Sequence, residues 1–351
     1  MFKKVTPKKI AIFALVVFVL LNIGIFITVT ILSRQTFGTR YDTKIKYNYQ
    51  DFKGMIRTES SFTSNEGQHL KGYVYSKQEE TKPKALIILS HGFGGGGHNS
   101  YLPQIYYFIN NGYWVFAYDG TGCDESEGKN VIGLPQAVID LDYAIRYVKE
   151  ESNLKNLKLL LYGQSWGGYA VTTVGNLDNN ISAVVSLSGF SNVTDLSVNQ
   201  AKGMIGPIAS IISPYVKLYN YIGFGKVANY TGIGGLDKIK SNAKVMIVQS
   251  EDDKVVSYNN FTKYKNTFGD NKNFEFISYK DRGHSVELSP DVTNEVKEEV
   301  AAWKSLVNEK GEENIPESEK DEFYKNYLST NVKIDMDLMK EIVKFYDDAI
   351  K

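Results

Sequence analysis

Cysteine is nearly absent from this 351-residue chain, where Cys123 stands alone. One thiol excludes an intrachain disulfide framework and a Cys-x-x-Cys metal site. It leaves the compartment open, because many exported bacterial proteins also lack disulfides. Histidine is scarce too: His69, His91, His98 and His284 are the only imidazoles from which a general base could be drawn. A surplus of either charge is missing, since Lys+Arg and Asp+Glu both total 40, so no electrostatic case exists for nucleic acid. No internal repeat with a period of about 20–50 residues is found, which argues against a solenoid or propeller. The Gly-Lys-Ser/Thr ending of a phosphate-binding loop is also missing, and no dinucleotide fingerprint is evident. What remains is 42% hydrophobic and 23% charged. That is the profile of a globular protein with one large domain plus appendages, or two small ones.

Residues 10–32, IAIFALVVFVLLNIGIFITVTIL, carry no charge, and Asn22 is their one strongly polar side chain. As a helix the run spans roughly 35 Å at about 1.5 Å per residue, enough to cross a bilayer. A buried core helix is rarely this long and this apolar on every side. A cleaved signal peptide has a shorter apolar region and a small-residue cleavage site, and RQTFGTRY follows here instead. An uncleaved signal anchor is the expectation. Lys3, Lys4, Lys8 and Lys9 precede the span, while Arg34, Arg40, Lys44 and Lys46 follow it, partly offset by Asp42. The compact lysine cluster on the short tail favours an inside N-terminus and an extracytoplasmic body. The expected organisation is a cytoplasmic tail at 1–9, the span at 10–32 and a tether at 33–55.

Beyond the tether, buried-strand runs alternate with helical patterns. Residues 61–76 read as two strands around a turn at Asn65-Glu66-Gly67. ALIILS (85–90), WVFAYD (114–119), LKLLLYG, ISAVVSLSG, KVMIVQS and FEFISY read as strands, most of them covered on both faces. YLPQIYYFINNGY reads as a helix ending at Asn111-Gly112. Residues 135–150 begin with Pro135 and set Val138, Leu141, Ile145 and Val148 near one helical face. Another helix starts at Trp166, and EVKEEVAAWKSLVNE reads as a long late one. This alternation predicts an α/β fold with a mainly parallel central sheet and helices on both faces. Residues 190–243 break the rhythm and are expected to form an inserted cap, the alternative being an ordinary long crossover. From 309 to 351 an acidic stretch leads into a helical tail that docks back on the body.

The turn between LLLYG and the helix from Trp166 holds Gly163-Gln164-Ser165-Trp166-Gly167-Gly168. A serine attacks only if a base takes its proton and if it stands clear of the sheet. A tight strand-to-helix turn meets the second need, with glycines where side chains would clash, and the helix N-terminus offers free N–H groups to a developing oxyanion. In this setting the motif resembles the nucleophile elbow of the α/β-hydrolase superfamily, in particular its serine-peptidase-like and esterase-like members. The resemblance covers roughly residues 58–308 and implies an α/β-hydrolase domain at about 56–308, with the order serine, acid, histidine. Asp253, with Lys254-Val255-Val256 after it, fits the family's acid position, and the adjacent Asp252 is the alternative. His284, in Gly283-His284-Ser285, is similar to the family's histidine turn. His91-Gly92-Phe93-Gly94-Gly95-Gly96-Gly97-His98 resembles the His-Gly oxyanion turn, which implies backbone N–H donors at Phe93 and Trp166 and a structural role for His91. YDGTGCDESEG (118–128) resembles the turn after a core strand in this family. It is read as structural, with neither Ser126 nor Cys123 as nucleophile.

The resulting expectation is a membrane-tethered serine hydrolase. It cleaves an ester or amide through an acyl-enzyme, with Ser165 as nucleophile, His284 as base and Asp253 as orienting acid. No metal or organic cofactor is implied. The expected partners are a small-molecule ester, acyl or peptide substrate and the lipid bilayer; the Tyr and Ile content of 190–243 suits an apolar or acyl-bearing substrate and a carboxylesterase or lipase-like role. A small-peptide or aminoacyl peptidase at the cell envelope is the alternative. A catalytically inactive extracellular binding module, or a membrane-tethered scaffold, represents a different class.

Overall fold

The computed structural model describes residues 6–351 apart from 44–45, 80, 95, 178–179 and 332. Lys3, Lys4, Lys44 and Gly95 therefore lie outside the described residues. In chain order the regular elements are α1 (Pro7–Phe37), β1 (Met55–Thr63), β2 (His69–Lys77), β3 (Leu86–Ser90), α2 (Leu102–Asn110), β4 (Trp114–Tyr118), α3 (Gln136–Glu150), β5 (Leu159–Gln164), α4 (Trp166–Thr173), β6 (Ala183–Leu187), α5 (Val193–Ile205), α6 (Ser213–Phe224), α7 (Gly232–Ile239), β7 (Lys244–Ser250), α8 (Asn259–Phe268), β8 (Phe274–Tyr279), α9 (Pro290–Lys310), α10 (Glu317–Asn331) and α11 (Met336–Ile350). The strands form one 8-stranded sheet in the order β1-β2-β4-β3-β5-β6-β7-β8. β1 and β2 pair antiparallel with each other, and β2 pairs antiparallel with β4. From β4 across to β8 every pairing is parallel.

The central strands β3 to β7 are mostly apolar because both faces of the sheet are dry there. Leu86, Ile88, Leu159, Leu161, Val184, Val245 and Ile247 point into one core, with α3, α4, α7 and α8. The residues between them, Ile87, Leu89, Leu160, Tyr162, Val185, Met246 and Val248, point into the other, with α2 and α11. This period of two, apolar in both phases, is the signature of a doubly covered parallel sheet. α11 is part of that second core: Leu338, Met339, Ile342 and Tyr346 are buried there, and the Tyr346 hydroxyl donates to the Leu161 carbonyl at 2.8 Å. Asp335 caps the helix by accepting from the N–H groups of Asp337 and Leu338, each at 3.0 Å.

Three differences from the sequence reading have local causes. α1 continues to Phe37, past the apolar run, because nothing in Ser33–Phe37 breaks a helix. The expected tether is clamped to the body: Arg40 donates to the carbonyls of Asp124, Ser126 and Gly128 at 2.6, 3.0 and 2.7 Å, and Thr43 Oγ1 donates to Asp124 Oδ2 at 2.6 Å. The insertion between β6 and β7 is a cap only in its first part. α7 buries Leu236 and Ile239 beside α4 and serves as the ordinary crossover helix. α5 starts on the body, where Val193 and Leu196 are buried, and packs against α6, while α6 and the turn before it contact α1.

Truncating Ile342 to alanine is expected to cost about 2–5 kcal/mol, since it opens a cavity in the face that α11 completes. A urea midpoint close to that of wild type would show that α11 is peripheral to the core.

Candidate active site

β5 delivers Ser165 at the carboxyl edge of the sheet, where the chain turns into α4. The serine has φ 55° and ψ −111°, a conformation rarely tolerated by a residue with a side chain. It is held there by its own N–H, which donates to the Leu187 carbonyl at 2.8 Å, and by two close backbone approaches. A Cβ on Gly167 would lie 1.9 Å from the Ser90 carbonyl oxygen, and one on Gly163 would lie 2.3 Å from the Gly167 carbonyl oxygen. A larger residue at 167 would push the turn away from β3, and one at 163 would push the first turn of α4 away from β5.

The loops after β7 and β8 meet this serine. His284 Nε2 lies 2.9 Å from Ser165 Oγ, and His284 Nδ1 lies 2.8 Å from Asp253 Oδ2. The Asp253 carboxylate is fully buried while the imidazole keeps 21% exposure. Its remaining lone pairs are filled: Oδ1 accepts from the N–H groups of Val255 and Val256 at 2.8 and 2.9 Å, and Oδ2 accepts from Gln249 Nε2 at 2.9 Å. Asp252 points elsewhere. Its Oδ1 accepts from Ser250 Oγ at 2.6 Å and from the Gly283 N–H at 2.8 Å, which fixes the approach of the histidine loop. The structure thus brings Ser165, His284 and Asp253 together, and gives Asp252 a bracing position.

Phe93 and Trp166, named for the oxyanion hole, adjoin across the site. Their rings meet edge to face with centroids 5.6 Å apart, and their backbone N–H groups find no acceptor among the described residues. The indole Nε1 of Trp166 donates to the Leu134 carbonyl at 2.7 Å. His91 is fully buried and burial lowers its pKa. Its Nε2 accepts from the Gly120 N–H at 2.9 Å while Nδ1 faces the Gly92 carbonyl at 2.8 Å, so it links two loops as a neutral ring. His98 is bound to Asp119 and Tyr75 at 2.7 Å each, and His69 sits on the exposed end of β2. Ser126 Oγ donates to the Asp119 carbonyl at 2.6 Å, and burial pushes the Cys123 thiol far up, so neither carries an activated nucleophile. No group of acidic, histidine or cysteine side chains able to hold a metal occurs among the described residues.

Several participants escape sequence reasoning. Gln164, the residue before the serine, accepts from the Tyr101 hydroxyl at 3.0 Å and donates to the His284 carbonyl at 3.3 Å. The Tyr101 hydroxyl in turn accepts from the Gly92 N–H at 2.9 Å. One chain of hydrogen bonds therefore ties the oxyanion loop, the elbow and the histidine loop. Gln249, at the end of β7, is visible only as a polar residue in an apolar strand. Glu287, three residues past His284, is buried, and its pKa is pushed up to about 7: burial is the main cause, the nearby Asp253 carboxylate adds to it, and His284 opposes.

Eight strands in this order, with a serine on the turn after β5 and an acid and a histidine after β7 and β8, define an α/β hydrolase. Residues 81–260 match the family profile described as serine aminopeptidase, S33, and the chain belongs to that family. Among curated proteins it is similar to the quorum-quenching protein AidA of Acinetobacter baumannii, 26% identical over 133 residues, or 37% of this chain and 43% of that one. It is also similar to protein bem46 of Schizosaccharomyces pombe, 25% identical over 158 residues, or 44% and 49% of the two chains. The chain spans about half the length of the curated relatives it matches. Among solved structures, the esterase Pf2001 of Pyrococcus furiosus superposes with a TM-score of 0.55 at 18% identity, covering 77% of this chain and 95% of that one. An acetyl xylan esterase from Paenibacillus sp. R4 gives 0.54 at 17% identity, covering 79% and 92%. These likenesses show the fold.

Glu287 makes stability depend on pH. The unfolded carboxyl releases its proton near 4.5 and the folded one near 7, so its contribution is complete below pH 4.5 and declines as pH rises toward 7. Wild-type stability, measured by urea denaturation relative to Glu287→Gln, is expected to fall by about 1.4 kcal/mol per pH unit across that window. A difference independent of pH would mean that the carboxyl titrates normally.

Proposed function

We propose that this protein is a membrane-anchored serine hydrolase that opens carboxylic esters through an acyl-enzyme. The observation that carries the reading is the unbroken relay from Ser165 Oγ through His284 to the buried Asp253 carboxylate, at 2.9 and 2.8 Å. His284 Nε2 takes the Ser165 proton as Oγ attacks the substrate carbonyl. Asp253 fixes the ring with Nδ1 protonated and stabilises the imidazolium that forms. The N–H groups of Phe93 and Trp166 receive the oxyanion of the tetrahedral intermediate. Collapse releases the alcohol, which takes its proton from His284, and water repeats the sequence on the acyl-enzyme to free the acid and restore Ser165. α1, long and apolar enough to cross a bilayer, holds the domain at the extracytoplasmic face.

The ester reading is supported by the cap, whose residues 205–224 carry five Ile and three Tyr. It is also supported by the condition of the neighbouring carboxylates. An aminopeptidase needs an available anion for the substrate's ammonium group, whereas Asp253 and Asp252 are hydrogen-bonded within the protein. A small-peptide or aminoacyl hydrolase is the second reading, favoured by the description of the matching family.

A fluorophosphonate probe is expected to label the wild-type protein and not Ser165→Ala. A folded wild type that stays unlabelled would favour a binding module. On p-nitrophenyl esters of graded acyl length, Asp253→Asn is expected to lower kcat by about 10⁴-fold, the effect of a wrongly held imidazole tautomer, and Asp252→Asn by much less. Turnover of aminoacyl-nitroanilides in preference to esters would replace the esterase reading with the peptidase one.

A further inference from the structure

Asn22 is the one strongly polar side chain in the apolar run, and the structure gives it a partner. Its Oδ1 accepts a hydrogen bond from the Tyr215 hydroxyl of α6, and its Nδ2 donates to the Phe18 carbonyl at 2.7 Å. The less exposed residues of α1, Asn22, Ile25, Phe26, Val29, Thr30, Ser33 and Phe37, fall at helical spacing on one face, and α1 packs there against α6 and the turn before it. Residues 10–21 of α1 stand free of the body. The cap therefore reaches α1 at the middle of its apolar run. From Asn22 to residue 32 is roughly 15 Å along a helix, half of a hydrocarbon layer about 30 Å thick.

The outer surface of the cap matches that depth. Met204, Ile205, Ile208, Ile211 and Ile222 are between 56% and 86% exposed. From Gly203 to Val216 the sequence has no charge, and Lys202 and Lys217 bound the stretch. Single exposed apolar side chains are ordinary on a soluble protein, but a contiguous uncharged group of this kind is not. A half-buried, mutually hydrogen-bonded polar pair at mid-span, an aliphatic surface beside it and flanking lysines able to snorkel are what hydrocarbon requires.

We infer that the cap is itself inserted in the bilayer, its segment from Met204 to Ile222 lying in the leaflet that surrounds the C-terminal half of α1. The inference rests on the membrane-anchored reading above and extends it. The occupant of the aliphatic face is lipid, because the face is continuous with the spanning helix and lies at the same depth. The candidate site then opens at the membrane surface. Phe37, at the end of α1, packs on Phe93 with ring centroids 5.5 Å apart, and Phe224, at the end of α6, packs over Gly133, beside the Leu134 that holds Trp166. Both helices thus run from the bilayer to the rim of the site, and the substrate class that fits is an amphiphile resident in the bilayer with its ester at headgroup level.

The test uses the full chain in phosphatidylcholine–phosphatidylglycerol vesicles, with the buried Cys123 replaced by serine. An environment-sensitive fluorophore is placed on single cysteines at Phe18 on free α1, at Ile208, Ile211 and Ile222 on the cap, and at Lys280 on the body. The cap labels are expected to behave like the Phe18 label, with blue-shifted emission, several-fold stronger quenching by spin-labelled lipid than by iodide, and the same response in a Ser165→Ala background. The Lys280 label should respond to iodide. Cap labels that follow Lys280 while the Phe18 label stays in lipid would overturn the insertion alone. A Phe18 label open to iodide would overturn the anchor beneath it. Cap labels shielded from both quenchers would mean that protein, such as a second copy of the chain, covers the face, and would also overturn the proposal.

Discussion

The geometry of the site depends on the closeness of two backbones where β5 becomes α4. The chain there passes within contact of the end of β3, and no side chain fits between them at position 167. That approach forces Ser165 into its unusual backbone conformation and holds its hydroxyl clear of the sheet. It also sets the loop after β3, with Phe93, beside the first turn of α4. Parallel pairing does the rest. Strands β3, β5, β7 and β8 all end at one edge of the sheet, so the loops that carry Phe93, Ser165, Asp253 and His284 converge without any of them being close in sequence.

The sheet was legible because burial on both faces leaves uninterrupted apolar runs, which few other structures demand. β3, β4, β5, β6 and β7 could be placed from that pattern, as could α2 and α3. Ser165 and His284 were legible through glycines and chain order. Asp253 was preferred over Asp252 through the family resemblance alone, by the Lys254-Val255-Val256 that follows it; nothing in two adjacent carboxylates says which one folding buries and which it turns to the Gly283 N–H. Gln164 and Glu287 left no readable signal: Gln164 acts through partners 63 and 120 residues away, and Glu287 through burial; Gln249 shows only as a polar residue in an apolar strand. α8 was missed because NNFTKYKNTF carries few apolar residues. The cap resisted for the opposite reason. Its aliphatic side chains lie on the outer surface, where the usual inference from apolar to interior reverses.

The segment between α1 and β1 is more than a connection. Arg40 and Thr43 hold the turn at Asp124, and Thr43 and Asp124 together accept from the N–H of Gly97 at 3.1 and 2.8 Å. Gly97 ends the glycine-rich loop that begins at His91. α1 is therefore mechanically coupled to that loop through backbone and carboxylate hydrogen bonds, and the orientation of the body relative to α1 follows from the clamp and from the contact of α1 with α6.

α11 joins two duties at one helix. It closes one face of the sheet, and its capping Asp335 binds Arg282 at 2.6 Å, in the loop that carries His284. Loosening this one helix would therefore bare the apolar flank of the central strands and release the histidine loop in a single event. Fraying of the core and loss of the 2.9 Å contact between His284 and Ser165 are thus one fault and not two.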